Sequence, residues 1–205
     1  MSAASVILCG VSGQPVVETA RILAEAALVA GLDVSLSEAP GPSCGRRGVL
    51  VHVRMGQEVR SAVVPERSAE VLIGFEPLEA LRAAPFLAAG GFVALNEQPV
   101  PTWRMRASLA PLPRDAAARL EALPARVVSV RAEAMVRRVD GAPLHGFALL
   151  GLVSSLLPVP RAAFEAALTA GAPPDPEARR HAFARGVQLF ESLPRWLAAG
   201  AAHGE

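Results

Sequence analysis

Apolar residues fall along this chain in two rhythms. Val6-Ile7-Leu8-Cys9 is a short unbroken apolar run ending at Gly10, the signature of a buried parallel strand. Beyond Gly10-Val11-Ser12-Gly13-Gln14-Pro15 the pattern changes to helical spacing, with Val16, Val17, Ala20, Ile22, Leu23, Ala26 and Ala27 on one stripe. Pro15 suits the first turn of that helix, and Gly31 suits the position just past its end. A second strand is expected over Asp33 to Ser37, then a loop rich in Pro, Gly and Arg from Pro40 to Gly48. Strand, glycine turn, helix, strand is half of a doubly wound α/β sheet.

The next segment reads as a hairpin inserted into that scheme: Val49 to Arg54, a turn at Gly56-Gln57, then Val59 to Val64. Val71 to Gly74 is another buried strand feeding a helix from Pro77 to Leu87. Gly90-Gly91 then leads into a strand over Phe92 to Leu95. Pro99, Pro101, Pro111 and Pro113 argue for an irregular excursion, before a short helix at Arg114 to Leu123 and a last strand at Val127 to Val130. From there the pattern is helical, over Ala132–Val139, Leu144–Leu157, Arg161–Ala170 and Glu177–Ala199. The expected architecture is a Rossmann-like, doubly wound α/β sheet over residues 1–131, with an inserted β-hairpin, followed by a helical C-terminal extension over residues 132–205 of the same domain.

Composition narrows the functions available. With 52% hydrophobic and 19% charged residues, and a mean hydropathy of +0.35, the chain of 205 residues can build a sizeable core and is not disordered by composition. A net charge of +1 offers no basic face to a nucleic-acid backbone. All 20 basic residues are Arg, so a P-loop lysine, a Schiff-base lysine and a Ser–Lys dyad are excluded. The longest apolar stretch, Phe147 to Val159, is too short to span a bilayer and contains Ser154, Ser155 and Pro158. Residues Met1 to Ser5 carry no basic region ahead of the short apolar run, so a signal peptide is not expected there.

The 2 cysteines, Cys9 and Cys44, cannot supply a four-thiolate zinc or iron–sulfur site. Cys9, in an apolar run, reads as buried and inert; Cys44 stands beside Arg46 and Arg47, whose charge favours its thiolate. A soluble protein of the reducing cytoplasm is expected. His52 alternates with valines in a strand and reads as a satisfied sheet histidine; His145, His181 and His203 share no face, so no metal site is expected.

The candidate functional residues lie in loops at strand ends. The Gly10, Ser12, Gly13, Gln14 turn has two readings. One is a phosphate cradle at a helix N-terminus, with Glu38 after the second strand as a ribose ligand. The other is a plain tight turn that contacts a partner, which the missing spaced glycine triplet favours. Ser43, Cys44, Arg46 and Arg47 form a loop whose forked guanidinium groups suit a carboxylate or a phosphate. Glu76 and Glu79 open a helix, where carboxylates meet the positive end of the dipole; Glu76 also stands at the sheet edge where α/β proteins bind ligands. Trp103 and Trp196 fit core packing or, if exposed, an interface anchor.

Four segments together carry a resemblance. They are Gly10 to Pro15 with Ala20-Arg21-Ile22-Leu23-Ala24; Ser37-Glu38 with Val51-His52-Val53-Arg54; Val71 through Arg82 with Leu87 and Gly90-Gly91; and Leu150-Gly151-Leu152 with Glu177 to Arg185-Gly186. In unbroken order they resemble the gamma-type subunit of the 2-oxoacid:ferredoxin oxidoreductases, the smaller (beta) subunit of the indolepyruvate enzymes in particular. The resemblance implies oxidative decarboxylation of a 2-oxoacid to an acyl-CoA, with electrons passed to ferredoxin. It also implies that thiamine diphosphate, Mg and 4Fe-4S clusters are carried by a large alpha-type partner, with CoA as co-substrate and no cofactor on this chain. The chain departs from the family at Ser12 and Pro15, where glycine is usual, and at Cys44-Gly45-Arg46-Arg47-Gly48, where Gln-Arg-Gly-Gly is usual. Those departures motivate one rival, a non-catalytic binding or regulatory paralogue, homodimeric in isolation; a second rival is a Rossmann-like flavin or nicotinamide binder.

Overall fold

A computed structural model describes residues 3–40, 48–101, 115–136 and 143–198. At its centre is a 6-stranded mixed sheet in the order β2-β3-β1-β4-β5-β6. The strands are β1 (Ala4–Val11), β2 (Asp33–Pro40), β3 (Gly48–Gly56), β4 (Ala69–Gly74), β5 (Leu87–Asn96) and β6 (Arg126–Val130). β1, β4, β5 and β6 run parallel; β3 is antiparallel to both β1 and β2.

The sheet does contain a hairpin, but not the one expected. β3 turns back onto β2, while residues 59–64 form no strand. Apolarity decides this. β3 is buried at Leu50, Val51, Val53 and Met55 on both of its faces, so it needs an interior place beside β1. β2, with Asp33, Ser35, Ser37 and Glu38, tolerates the edge. Segment 59–64 is tied to the hairpin by side chains instead. Asp33 Oδ2 accepts from the Val59 N–H at 2.7 Å, Arg54 Nη1 donates to the Ser61 carbonyl at 3.2 Å, and His52 Nδ1 accepts from the Val64 N–H at 3.1 Å. His52 is thus the satisfied sheet histidine its pattern suggested.

Alternation along the strands divides the core in two. Val6 and Leu8 face helices α1 (Val16–Val29), α5 (His145–Val153), α6 (Arg161–Thr169) and α7 (Pro176–Ser192). Ile7 and Cys9 face α2 (Pro77–Ala83) and α3 (Ala116–Glu121). Cys9 is fully buried, and burial pushes its thiol well above the ordinary range, with the charges of Glu79 and Glu76 adding to the effect. Helix α1 ends where Gly31 takes φ 75°, letting the Gly31 and Leu32 N–H groups bond back to the carbonyls of Leu28 and Ala27.

Several elements run differently from expectation. β5 begins at Leu87, with Gly90 at φ 71° inside an irregular stretch of the ladder against β4, so the glycine pair belongs to the strand. The helix from Pro77 stops at Ala83, and the 84–86 turn carrying Pro85 closes it. After β6 a single turn, α4 (Ala132–Met135), leads toward α5. The final helix is broken at Pro194 into α7 and the short α8 (Arg195–Ala198). Helix α5 is buried at all nine positions and crosses α7 where Gly151 and Gly186 let the two backbones touch. Arg179 of α7 reaches back to α1, bonding Glu18 at 2.7 Å while lying over the Phe147 ring. No helix among the described residues is long and apolar enough to cross a membrane.

Candidate functional site

The C-terminal ends of β1, β4, β5 and β6 converge on one edge, the edge where open α/β sheets place their ligands. There β1 leads into the turn that sequence had singled out. Gly10 and Val11 are buried, Ser12 and Gly13 are exposed, and Gly13 takes φ 94° with open space around it. Gln14 folds back beneath this turn. Its Oε1 accepts from the Val11 N–H at 2.8 Å and its Nε2 donates to the Phe75 carbonyl at 2.8 Å. Only a glycine at position 10 permits this, since a Cβ there would stand 2.6 Å from Gln14 Oε1 and 2.8 Å from Phe75 Cβ.

The Phe75 carbonyl has a second donor, Asn96 Nδ2 at 3.1 Å. Asn96 ends β5 fully buried. It also donates to Glu133 Oε1 at 3.1 Å and accepts from the Ala132 N–H at 3.1 Å, so it joins the ends of β4 and β5 to α4. His145, at the start of α5, lies with Nε2 3.8 Å from the same Glu133 oxygen and its ring edge-on to Phe75. Gly146 follows and seats α5 against Pro15, Thr19 and Phe75 without room for a side chain. Asn96 and Glu133 were not singled out from sequence, and His145 entered there only as one of three scattered histidines. Asn96 carried a legible signal, a polar residue directly after a buried strand, as Glu76 does.

Glu76 is buried, and it is the N-cap of α2: its Oε2 accepts from the Glu79 N–H at 2.9 Å. Burial raises its carboxyl pKa above the ordinary range. The backbone N–H groups of Glu79, Leu78 and Val100 oppose that rise, and the Glu79 charge adds to it. Glu79 serves as the bonded backbone donor and pairs with Arg82 at 2.7 Å. Capping therefore falls to Glu76 rather than to Glu79. Glu38 is exposed near the end of the edge strand β2, opposite Val51 in register and two strands to the side of β1. Ser43, Cys44, Arg46 and Arg47, like Trp103, lie outside the described residues. Trp196 on α8 is 74% exposed.

Chemically, this edge offers a rigid, hydrogen-bonded floor beneath a small exposed turn. Among the described residues no three or more His, Cys, Asp or Glu gather as a metal-binding set.

The model of the pyruvate ferredoxin/flavodoxin oxidoreductase family matches residues 5–189, nearly the whole described fold. The chain belongs to that family. Among curated proteins, an indolepyruvate oxidoreductase subunit IorB from Thermococcus kodakarensis is 39% identical over 109 residues, 53% of this chain and 54% of that protein. The IorB of Archaeoglobus fulgidus is 32% identical over 158 residues, 76% of this chain and 78% of its own. The chain thus spans about half the length of the Thermococcus relative it matches. Solved structures of the oxidoreductase family share the fold. The gamma subunit of a keto/oxoacid ferredoxin oxidoreductase from Geobacter sulfurreducens superposes with a TM-score of 0.65 at 18% identity, covering 90% of this chain and 96% of that one. A 2-oxoglutarate:ferredoxin oxidoreductase from Magnetococcus marinus gives 0.69 at 12% identity, covering 95% of this chain and 32% of the other. The oxidoreductase-family chain described here therefore has the fold of a gamma subunit and also of one part of a longer polypeptide.

Proposed function

We propose that this chain is the small, cofactor-free subunit of a 2-oxoacid oxidoreductase acting on indolepyruvate or another aryl pyruvate, in a reducing cytoplasm. The assembled enzyme decarboxylates the 2-oxoacid oxidatively to an acyl-CoA and passes electrons to ferredoxin. Thiamine diphosphate, Mg and the 4Fe-4S clusters belong to the large alpha-type subunit, and CoA enters as co-substrate. The present chain docks its convergent strand edge on that partner and shapes the partner's site.

The observation that carries this reading is the family match over residues 5–189, coupled to a sheet edge where an exposed turn rests on the part-buried Gln14 amide and the buried Asn96 amide. A surface built to meet a protein needs fixed backbone geometry, and the edge supplies it. Ser12-Gly13, Gln14 and Glu76 belong to that edge. Glu38 on β2, together with Ser43, Cys44, Arg46 and Arg47, contributes contacts to substrate or partner.

The test is reconstitution. Co-expressed with a large subunit bearing thiamine and cluster motifs, the chain is expected to co-purify as a stoichiometric complex. That complex should reduce ferredoxin or a viologen dye only when indolepyruvate and CoA are both present. A preparation lacking the small chain should lose most of that activity. The proposal is overturned if the isolated chain oxidises a 2-oxoacid unaided, or if it leaves the large subunit's association state and activity unchanged.

A further inference from the structure

We infer that Gln14 is a positioning residue: its carboxamide, clasped to Val11 N–H and Phe75 C=O, sets the Ser12-Gly13 turn in the orientation that engages the large subunit. The inference rests on the docking role proposed above and assigns it a specific hydrogen-bonded device.

The turn is held unequally on its two sides. Its base is fixed from within: Thr19 Oγ1 donates to the Pro15 carbonyl at 2.7 Å, and α5 abuts Pro15 and Thr19 at Gly146. Its apex, Ser12 and Gly13, is exposed, and Pro15 gives α1 no side-chain cap. Between base and apex stands Gln14. A glutamine here would ordinarily extend into water, where its amide loses nothing. Instead it lies back over Gly10, and both of its polar atoms are engaged, acceptor to one strand and donor to the next.

The receiving carbonyl is itself immobilised. Phe75 is fully buried, and its N–H continues the β1–β4 ladder by donating to Cys9 O at 2.8 Å. Asn96 donates to the same Phe75 oxygen and is anchored by Ala132 and Glu133. Two side-chain amides therefore converge on one carbonyl, which links the exposed turn to the ends of β4, β5 and α4. In a buried network the orientation of each member is fixed by its neighbours, so the polarity of Gln14, more than its bulk, sets the turn.

The test uses the full chain with Gln14→Ala and the size-preserving Gln14→Met. In the isolated chain, NMR hydrogen exchange at the Val11 amide should accelerate at least tenfold in both variants, with Ile7 and Leu8 amides of β1 unchanged. In complex with the large subunit, the concentration of small chain giving half-maximal indolepyruvate oxidation should rise about tenfold, the order expected from losing two hydrogen bonds. Unchanged exchange at Ile7 and Leu8 separates this loss of engagement from a general loss of structure. Unchanged Val11 exchange overturns the clasp, and an unchanged half-maximal concentration with accelerated exchange overturns its role in engagement. Failure of the wild-type chain to associate at all counts instead against the proposed function, and the exchange measurement then still decides the clasp.

Discussion

Replacing Gly186 with alanine loads the most crowded helix crossing in the described fold. A Cβ on Gly186 would overlap the Ala148 carbonyl oxygen and stand 2.7 Å from Leu152 N and 2.9 Å from the Ala148 carbonyl carbon, all backbone atoms of α5. Ordinary contact begins near 3.4 Å, so the two helices must part by about an ångström at the crossing. Helix α5 cannot withdraw, because its nine residues are buried between α7 and the sheet. Overpacking of this kind costs roughly 1–3 kcal/mol, and a backbone obstacle places it at the upper end. Alanine's better helix propensity returns up to about 1 kcal/mol. The net loss is about 2 kcal/mol, a fall in Tm of roughly 4–8 °C for a chain of this size. Thermal melts followed by far-UV circular dichroism, with urea titration as the equilibrium check, measure it. Gly151→Ala should behave alike, since its Cβ would overlap the Phe183 carbonyl. A Gly186→Ala protein as stable as wild type, or more so, would refute the reasoning about this crossing.

Three further outcomes follow from buried charge. Glu76 has a raised pKa in the folded state, so between the ordinary glutamate value of 4.5 and that raised value the native protein holds the extra proton. Its contribution to stability therefore falls as pH rises through this window. Urea midpoints measured from pH 4.5 upward should show that decline, and Glu76→Gln should flatten it. His52 has a pKa lowered from 6.5 by burial, so its contribution to stability is present above 6.5 and is lost as pH falls through the lowered value. An NMR titration should find its ring titrating below 6.5, with the Val64 amide resonance shifting as the ring protonates and Nδ1 ceases to accept. Arg179→Ala removes a part-buried ion pair with Glu18 and the cation over Phe147, and should cost about 1–2 kcal/mol in urea unfolding. Arg179→Lys, which keeps the charge but not the planar fork, should lose less.

Local pattern was enough to place each of the strands β1, β3, β4, β5 and β6, because an unbroken run such as Val6 to Cys9 has no other stable setting than a buried strand. It was also enough to seat Cys9 in the core, to read His52 as a sheet histidine and to mark Gly31 as a helix terminator. The family was legible too, since its motifs are contiguous stretches in fixed order. Gln14 and Glu76 were visible as candidates because each stands in a turn at a strand end. Tertiary structure alone decided which strand β3 would turn back on: the apolar positions of 59–64 mimic a strand, and only competition for an interior place assigns pairing to β2. It alone brought Gln14 to Phe75, 61 residues away, and Asn96 to Glu133, 37 residues away. The reason is physical. Periodicity records which face of an element must leave water, whereas a hydrogen bond between distant side chains depends on how whole elements stack, and no local stretch of sequence carries that information.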